Sequence, residues 1–299
     1  MSMKELIRKY ASLLIAGFIA AGAAASASAE SAPAPSAGTK SFVLQQIRNA
    51  TIKIDYGDVR FLVDPMLAKK GSYPAAPGSF NSEIRNPTVE LPIPLEKVID
   101  VDVVIVTHLH FDHWDNEAKE RIPKDMPIFA QNDEDARTIR GSGFRDVRVL
   151  NEATEFKGVR LIKTSGQHGS DAAMAVRGKL LGTVSGVVFQ RPGFKSLYVA
   201  GDTVWNTHVQ DALATYHPDV IVLNAGYVRF NDIDGAIIMG KEDLYRVNQA
   251  APGAYIVAVH LESLNHATQS RQELKDYIKE KSLDPQRVLV PDDGESYSF

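Results

Sequence analysis

Four groups able to bind a metal ion stand within six residues in His108-Leu109-His110-Phe111-Asp112-His113, directly after the apolar run Val103-Val104-Ile105-Val106. Four consecutive β-branched residues read as a buried strand, so the histidines mark a strand end. His108 and His110 stand two apart, and an extended chain projects both to the same side. Asp112 and His113 follow where the chain should turn into a helix, within reach of a second point nearby. One short loop thus starts two adjacent metal sites. In a chain with eight histidines, a solvated loop would gather three of them here only by chance.

Three later apolar runs also end in metal-binding side chains. His168 follows residues 159–164, Asp202 follows 197–200 and His260 follows 255–259. An α/β sheet collects its chemistry at the carboxyl ends of its strands. Taken singly, Asp202 also suits a turn or helix cap, and His260 a buried strand-end histidine. His168 lies between Gly166 and Gly169, a turn-like setting that argues against a role in the core.

The pattern His108-x-His110-x-Asp112-His113, with His168, Asp202 and His260 behind it and Phe61-Leu62-Val63-Asp64-Pro65 ahead, resembles the signature of the metallo-β-lactamase superfamily. The resemblance covers nearly all of the chain after residue 41. It implies an α/β (α+β) fold, an αββα sandwich of two mixed β-sheets flanked by helices, with two internally similar halves and the site at one edge. It implies that His108, His110 and His168 hold one divalent cation, that Asp112, His113 and His260 hold a second, and that Asp202 bridges them. Asp64 would support the metal loop. Asp112, Asp202 and His260 would carry the catalysis. Zn²⁺ suits these ligands first, and Mn²⁺ and Fe²⁺ also fit. A hydroxide shared by two such cations exists near neutral pH, because metal binding lowers the pKa of water to about 7. No Ser or Cys nucleophile is then needed.

His at position 110 disfavours the flavodiiron branch, where Glu is usual. The absence of Cys excludes lactamases with a thiolate ligand, and the bridging Asp202 disfavours true β-lactamases. Residues 50–65 and Gly201-Asp202-Thr203 are most similar to the branch of L-ascorbate-6-phosphate lactonase and N-acylphosphatidylethanolamine phospholipase D. These enzymes cleave a lactone and a phosphodiester, so membership leaves the bond open. The expected function is a dinuclear metal-dependent hydrolase of a lactone, ester or phosphodiester. A mononuclear non-haem iron dioxygenase and a non-catalytic metal-binding protein are the alternatives.

The N-terminus has its own pattern. Lys4, Arg8 and Lys9 precede an apolar, Ala-rich run over residues 11–25, and Ala27-Ser28-Ala29 stands before Glu30. This reads as a signal peptide over residues 1–29, with a periplasmic or secreted product and no stable membrane span after cleavage. Residues 30–40 read as a flexible Ala/Pro/Ser linker, and residues 41–299 as the hydrolase domain. Cleavage removes three cations and one anion, taking the formal charge from −4 to −6. That surface argues against nucleic acid as a partner. A small-molecule substrate is expected, and the oligomeric state is not legible.

Strands are predicted over residues 42–47, 51–56, 60–63, 103–106, 127–130, 147–150, 159–164, 184–190, 196–200, 220–224, 255–259 and 288–290. Helices are predicted over 114–121, 132–141 with Asn132 as N-cap, 208–216, 241–250, and from the capping box Ser270-x-x-Glu273 to about Lys281. Residues 66–100 are rich in proline and lack periodicity. A segment this long without regular structure suits a functional loop. The expectation is a lid over the metals. Arg85, Asn86 and Arg229, together with His266 shortly after His260, would bind an anionic substrate group.

Overall fold

The computed structural model describes residues 40–299. The expected leader, and the expected linker up to residue 39, lie outside the described residues. The chain runs β1 (Val43–Arg48), β2 (Thr51–Tyr56), β3 (Val59–Val63), α1 (Leu95–Val98), β4 (Val103–Val106), α2 (Asn116–Arg121), β5 (Ile128–Ala130), α3 (Asp133–Gly141), β6 (Val147–Val149), β7 (Thr154–Phe156) and β8 (Val159–Ser165). It continues α4 (Asp171–Leu181), β9 (Ser185–Gln190), β10 (Leu197–Val199), α5 (Thr207–Tyr216), β11 (Val220–Asn224), α6 (Lys241–Ala250), β12 (Tyr255–Val259), α7 (Arg271–Glu280), β13 (Val288–Leu289) and β14 (Ser296–Ser298).

Two seven-stranded sheets result, ordered β14-β1-β2-β3-β4-β5-β6 and β7-β8-β9-β10-β11-β12-β13. Both follow one plan. In the first, β1, β2 and β3 pair antiparallel, and β3 to β6 run parallel. In the second, β8, β9 and β10 pair antiparallel, and β10 to β13 run parallel. The expected sandwich of two similar halves is therefore present.

Residue alternation decides what each face buries. Ile52, Ile54 and Tyr56 of β2 meet Phe189, Val187 and Val222 of the second sheet in the central core. The opposite faces receive helices. Val104 and Val106 pack with Ala118 of α2 and Ile139 of α3. Ile221 and Ile256 pack with Leu213, Leu244 and Leu274 from α5, α6 and α7. The layers are thus helix, sheet, sheet, helix, as a chain with buried parallel strands requires.

Local chemistry sets the helix starts. Asn132, Asn206 and Ser270 each accept a backbone N–H of the first turn, and Glu273 completes a capping box with Ser270. Helix α2 begins two residues later than predicted, because Asp115 is the extended cap and Trp114 is buried beneath it. Helix α4 was not predicted at all. Its sequence carries Gly178 and no clear apolar period, and it forms where Ser170 caps it and Ala173 and Leu181 bury against Val228 and Ile237. Among the described residues, no helix is long and apolar enough to cross a membrane.

Residues 66–100 are irregular as expected, apart from the single turn of α1. The base of this segment is held firmly. Arg48, fully buried, donates to the carbonyls of Met66, Ala68 and Val89. Asp115 Oδ2 accepts from the backbone of Leu67 and Ala68 at 2.8 and 2.7 Å.

Candidate metal centre

The candidate ligands converge at the carboxyl ends of the central strands of both sheets. His108 to His113 leave β4, His168 follows β8, Asp202 follows β10 and His260 follows β12. Two sets have ligand atoms within 4.8 Å of one another: His108, His110 and His168, and Asp112, His113, Asp202 and His260. These are the sets the sequence resemblance implies. Asp202 Oδ2 lies 3.4 Å from His168 Nε2, 3.9 Å from His108 Nε2 and 3.2 Å from His113 Nε2, so one carboxylate borders both sets. His260 Nε2 is 3.1 Å from Asp112 Oδ2.

The outer nitrogens of these rings fix their tautomers. His168 Nδ1 donates to the Ile237 carbonyl at 2.9 Å, and His110 Nε2 donates to the Leu180 carbonyl at 2.8 Å. A carbonyl oxygen only accepts, so His168 keeps its Nε2 lone pair and His110 its Nδ1 lone pair. His113 Nδ1 donates to Asp64 Oδ2 at 2.8 Å. Thr107 Oγ1 donates to Asp64 Oδ2 at 2.7 Å and lies 3.3 Å from His108 Nδ1, from which it can accept. The Nε2 atoms of His108 and His113 are buried without a hydrogen-bond partner among the described residues. Unpartnered ring nitrogens beside two buried carboxylates are what a cation would satisfy.

The charge distribution agrees. Asp112 and Asp202 are buried, and their ion-pair partners among the described residues are histidines only. Burial alone would raise their pKa values. His113 and His260 outweigh it and hold both carboxyls ionised, well below the usual range. Burial opposes the charging of His113, but Asp202, Asp112 and Asp64 raise its pKa well above the ordinary value. Burial pushes His168 down to about 4 and His108 well below its ordinary value, so both are neutral donors. Two buried anions facing a charged His113 and the neutral His108 and His168 form a site that divalent cations would complete by displacing the His113 proton.

Backbone conformation contributes at two positions. Asp64 and His260 both have positive φ, 51° and 63°. Such residues are uncommon and cluster at functional sites. Gly226 passes so close to the His260 carbonyl that any Cβ there would collide with it.

Several supporting groups carry no sequence signal of their own. Asn49, which the sequence suggests only as part of a strand connection, donates to the Asp112 carbonyl at 3.0 Å and to its Oδ2 at 3.3 Å. Its own carbonyl accepts from the His260 amide at 2.8 Å. Asn224 Nδ2 donates to Asp202 Oδ1 at 2.6 Å. A polar residue ending an otherwise apolar strand, as Asn224 does, is the one hint available.

The metal ligands open onto a cavity of about 370 Å³. Its other walls are mostly apolar, including Phe111, Leu181, Val228, Phe230 and Leu264. The tip of the long segment, residues 73–77, closes one side, in keeping with the expected lid. The expected substrate contacts divide. His266 lines the cavity, and burial pushes its pKa down to about 4. Arg85, Asn86 and Arg229 do not line it. Arg85 is exposed and donates to the Gly71 and Ser72 carbonyls, so its charge serves its own loop. Arg229 stacks on the Phe80 ring. Asn86 is buried and bonded to Asn265. Among the described residues no Lys or Arg lines the cavity, so Arg85 and Arg229 do not form the expected contacts to an anionic group there.

Comparison with known proteins gives the same picture. Residues 59–261 match the family described as the Beta-lactamase superfamily domain. The UPF0173 protein YddR of Bacillus subtilis (strain 168) is 48% identical over 257 residues, spanning 86% of this chain and 99% of YddR. The crystal structure of a possible metal-dependent hydrolase from Veillonella parvula is 41% identical, with a TM-score of 0.84, covering 85% of this chain and 98% of that one. The structure of isothiocyanate hydrolase from Delia radicum gut bacteria is 45% identical, with a TM-score of 0.83, covering 86% and 99%.

Proposed function

Since this chain belongs to the metallo-β-lactamase superfamily, as a metal-dependent hydrolase of that fold, we propose that it uses two divalent cations to hydrolyse a small, uncharged substrate with an apolar body. The observation that carries this reading is the junction of seven convergent ligands with an apolar cavity that, among the described residues, no Lys or Arg lines. His108, His110 and His168 would hold one cation, and Asp112, His113 and His260 the other. Asp202 would border both. Once bound, such cations supply Lewis acidity and a water with a pKa near neutrality, Zn²⁺ being the first candidate and Mn²⁺ or Fe²⁺ the next.

The protein's own groups do the rest. Asp64, Thr107 and the Ile237 and Leu180 carbonyls hold the imidazoles in one orientation, which limits reorganisation during reaction. Phe111, Val228 and Phe230 exclude bulk water from the substrate body. Similarity to the isothiocyanate hydrolase supports an isothiocyanate as the first substrate class. Water and R–N=C=S would then give R–NH₂ and carbonyl sulfide. A lactone or ester is the second class. A phosphodiester ranks last, because its charge would face an apolar wall.

The test is a panel of aryl and alkyl isothiocyanates, lactones and phosphodiesters, run on protein loaded in turn with Zn²⁺, Mn²⁺ and Fe²⁺, alongside elemental analysis. The expected result is nearly two metals per chain and turnover of the uncharged members. Full activity at one metal per chain sinks the dinuclear arrangement. Turnover of phosphodiesters alone sinks the substrate class. The leader-like residues 1–29 support export to the periplasm or beyond, and N-terminal sequencing of the periplasmic product should begin at Glu30. Recovery of intact chain from the cytoplasm would reject export.

A further inference from the structure

Beside the metal ligands, two polar side chains reach the cavity wall, those of Tyr73 and His266. The Tyr73 hydroxyl is occupied, accepting from the Asn116 amide at 3.2 Å. His266 is different. Its Nδ1 lies 2.9 Å from Asn265 Oδ1, and Nε2 has no hydrogen-bond partner among the described residues.

The orientation of the Asn265 amide is determined by its neighbours. Asn265 Nδ2 is 2.6 Å from the Phe80 carbonyl and 2.7 Å from Ser79 Oγ. A carbonyl cannot donate, so the atom facing it must be the amide nitrogen. The atom facing His266 is then the amide oxygen, which also accepts from Asn86 Nδ2 at 2.8 Å. Asn86 Oδ1 in turn accepts from the Asn265 backbone amide at 2.7 Å. His266 Nδ1 therefore carries the proton and Nε2 carries a lone pair. The Phe230 ring packs edge-on against the imidazole at 5.4 Å and holds its plane.

This acceptor has a fixed direction and faces the cavity from an otherwise apolar wall, so a substrate that displaces water from it loses free energy unless it donates a hydrogen bond in return. We propose that His266 Nε2 accepts a hydrogen bond from a donor on the substrate's leaving atom, and that Asn265 and Asn86 act as positioning residues by locking its tautomer. This deepens the hydrolytic reading above and rests on it. For an isothiocyanate, the nitrogen has no hydrogen in the ground state. As the water oxygen bonds to carbon, the C=N π pair moves to nitrogen, which takes up a proton of that water and becomes N–H. The C–N bond then breaks as its electron pair goes to nitrogen, which takes the remaining hydroxyl proton, and the O–H pair becomes the second π bond of carbonyl sulfide, so that amine and carbonyl sulfide leave. His266 meets the nitrogen only after it becomes a donor, so the contact favours the reacting species over the substrate.

Two measurements test this. The first uses a stable probe of the addition product, N-phenethyl O-methyl thiocarbamate, against its N-methylated counterpart, with binding to the metal-loaded enzyme measured by calorimetry. The wild type should favour the N–H probe by about tenfold or more. His266→Phe should lose that preference with metal content and melting temperature unchanged, and His266→Gln, whose Oε1 can accept near the same point, should keep part of it. The second is turnover of the best isothiocyanate, where His266→Phe should lower kcat by about 10- to 100-fold and change KM little. Asn265→Leu should show a weaker form of both effects. Equal binding of the two probes by the wild type, or no binding of either, overturns the proposal. So does a His266→Phe protein that keeps the preference, or one that loses metal along with it. Failure of the proposed function is a separate outcome: the wild type then turns over no uncharged substrate while the probe preference stands.

Discussion

The two sheets deliver their ligands in different ways. The first supplies His108, His110, Asp112 and His113 from one loop after β4, whereas the second supplies His168, Asp202 and His260 from behind β8, β10 and β12. The matched strand order makes the contrast instructive. β3 and β10 hold equivalent places in the two sheets, and each is followed by a buried acid. Asp64 behind β3 orients ligands through Thr107 and His113. Asp202 behind β10 borders both ligand sets and is itself oriented by Asn224 at the end of β11. One architectural position thus supports the ligand loop in one half and borders both ligand sets in the other.

Four substitutions would break or sharpen this contrast, in falling order of effect. Asp202→Ala removes the group common to both sets. It should lose metal from both positions and lower activity by more than about 100-fold, while circular dichroism stays native. Retention of two metals by elemental analysis would show that Asp202 is not the bridge. Asp64→Asn keeps the shape but weakens the acceptor for His113 and Thr107. It should cost about 10- to 100-fold in metal affinity, read by competition with a chromophoric chelator. An effect equal to that of Asp202→Ala would erase the distinction between support and bridge.

Asn224→Ala frees one oxygen of Asp202. A loss of about tenfold in activity is expected, with two metals retained, and loss of one metal would promote Asn224 to an essential part of the centre. Arg85→Ala should change kcat/KM by less than about twofold on uncharged substrates, because an exposed cation contributes little. A large rise in KM would restore the anionic substrate that the cavity wall argues against.

Much of the first sheet was legible because its signals are local. Apolar strands and the clustered ligands fall within short windows, and β1 to β6 lie close to their expected ranges. The ligands of the second sheet are each anonymous, and only their order behind apolar runs gave them away. What escaped has a long-range cause. Strand β14 pairs with β1 across almost the whole chain, a contact with no local signature. Helix α4 lacks periodicity and depends on the surface it meets. Arg85, Asn86 and Arg229 stood in plausible segments, and side-chain partners from distant loops turned them elsewhere.

By itself the sequence determined the sandwich, the seven candidate ligands and their division into two sets. The strands and the ligands at their ends follow from alternation and spacing, which act over a few residues, while the sandwich and the two sets follow from the resemblance to the superfamily. Tertiary structure alone decided the character of the cavity. Whether a side chain lines a pocket depends on which remote backbone carbonyl or ring competes for it, and that competition is settled only when the sheets close. Burial then removes water as the alternative partner, so each polar group takes the neighbour within reach. For Arg85 that neighbour is its own loop, for Asp202 it is Asn224, and for His266 it is Asn265, with Nε2 left without one.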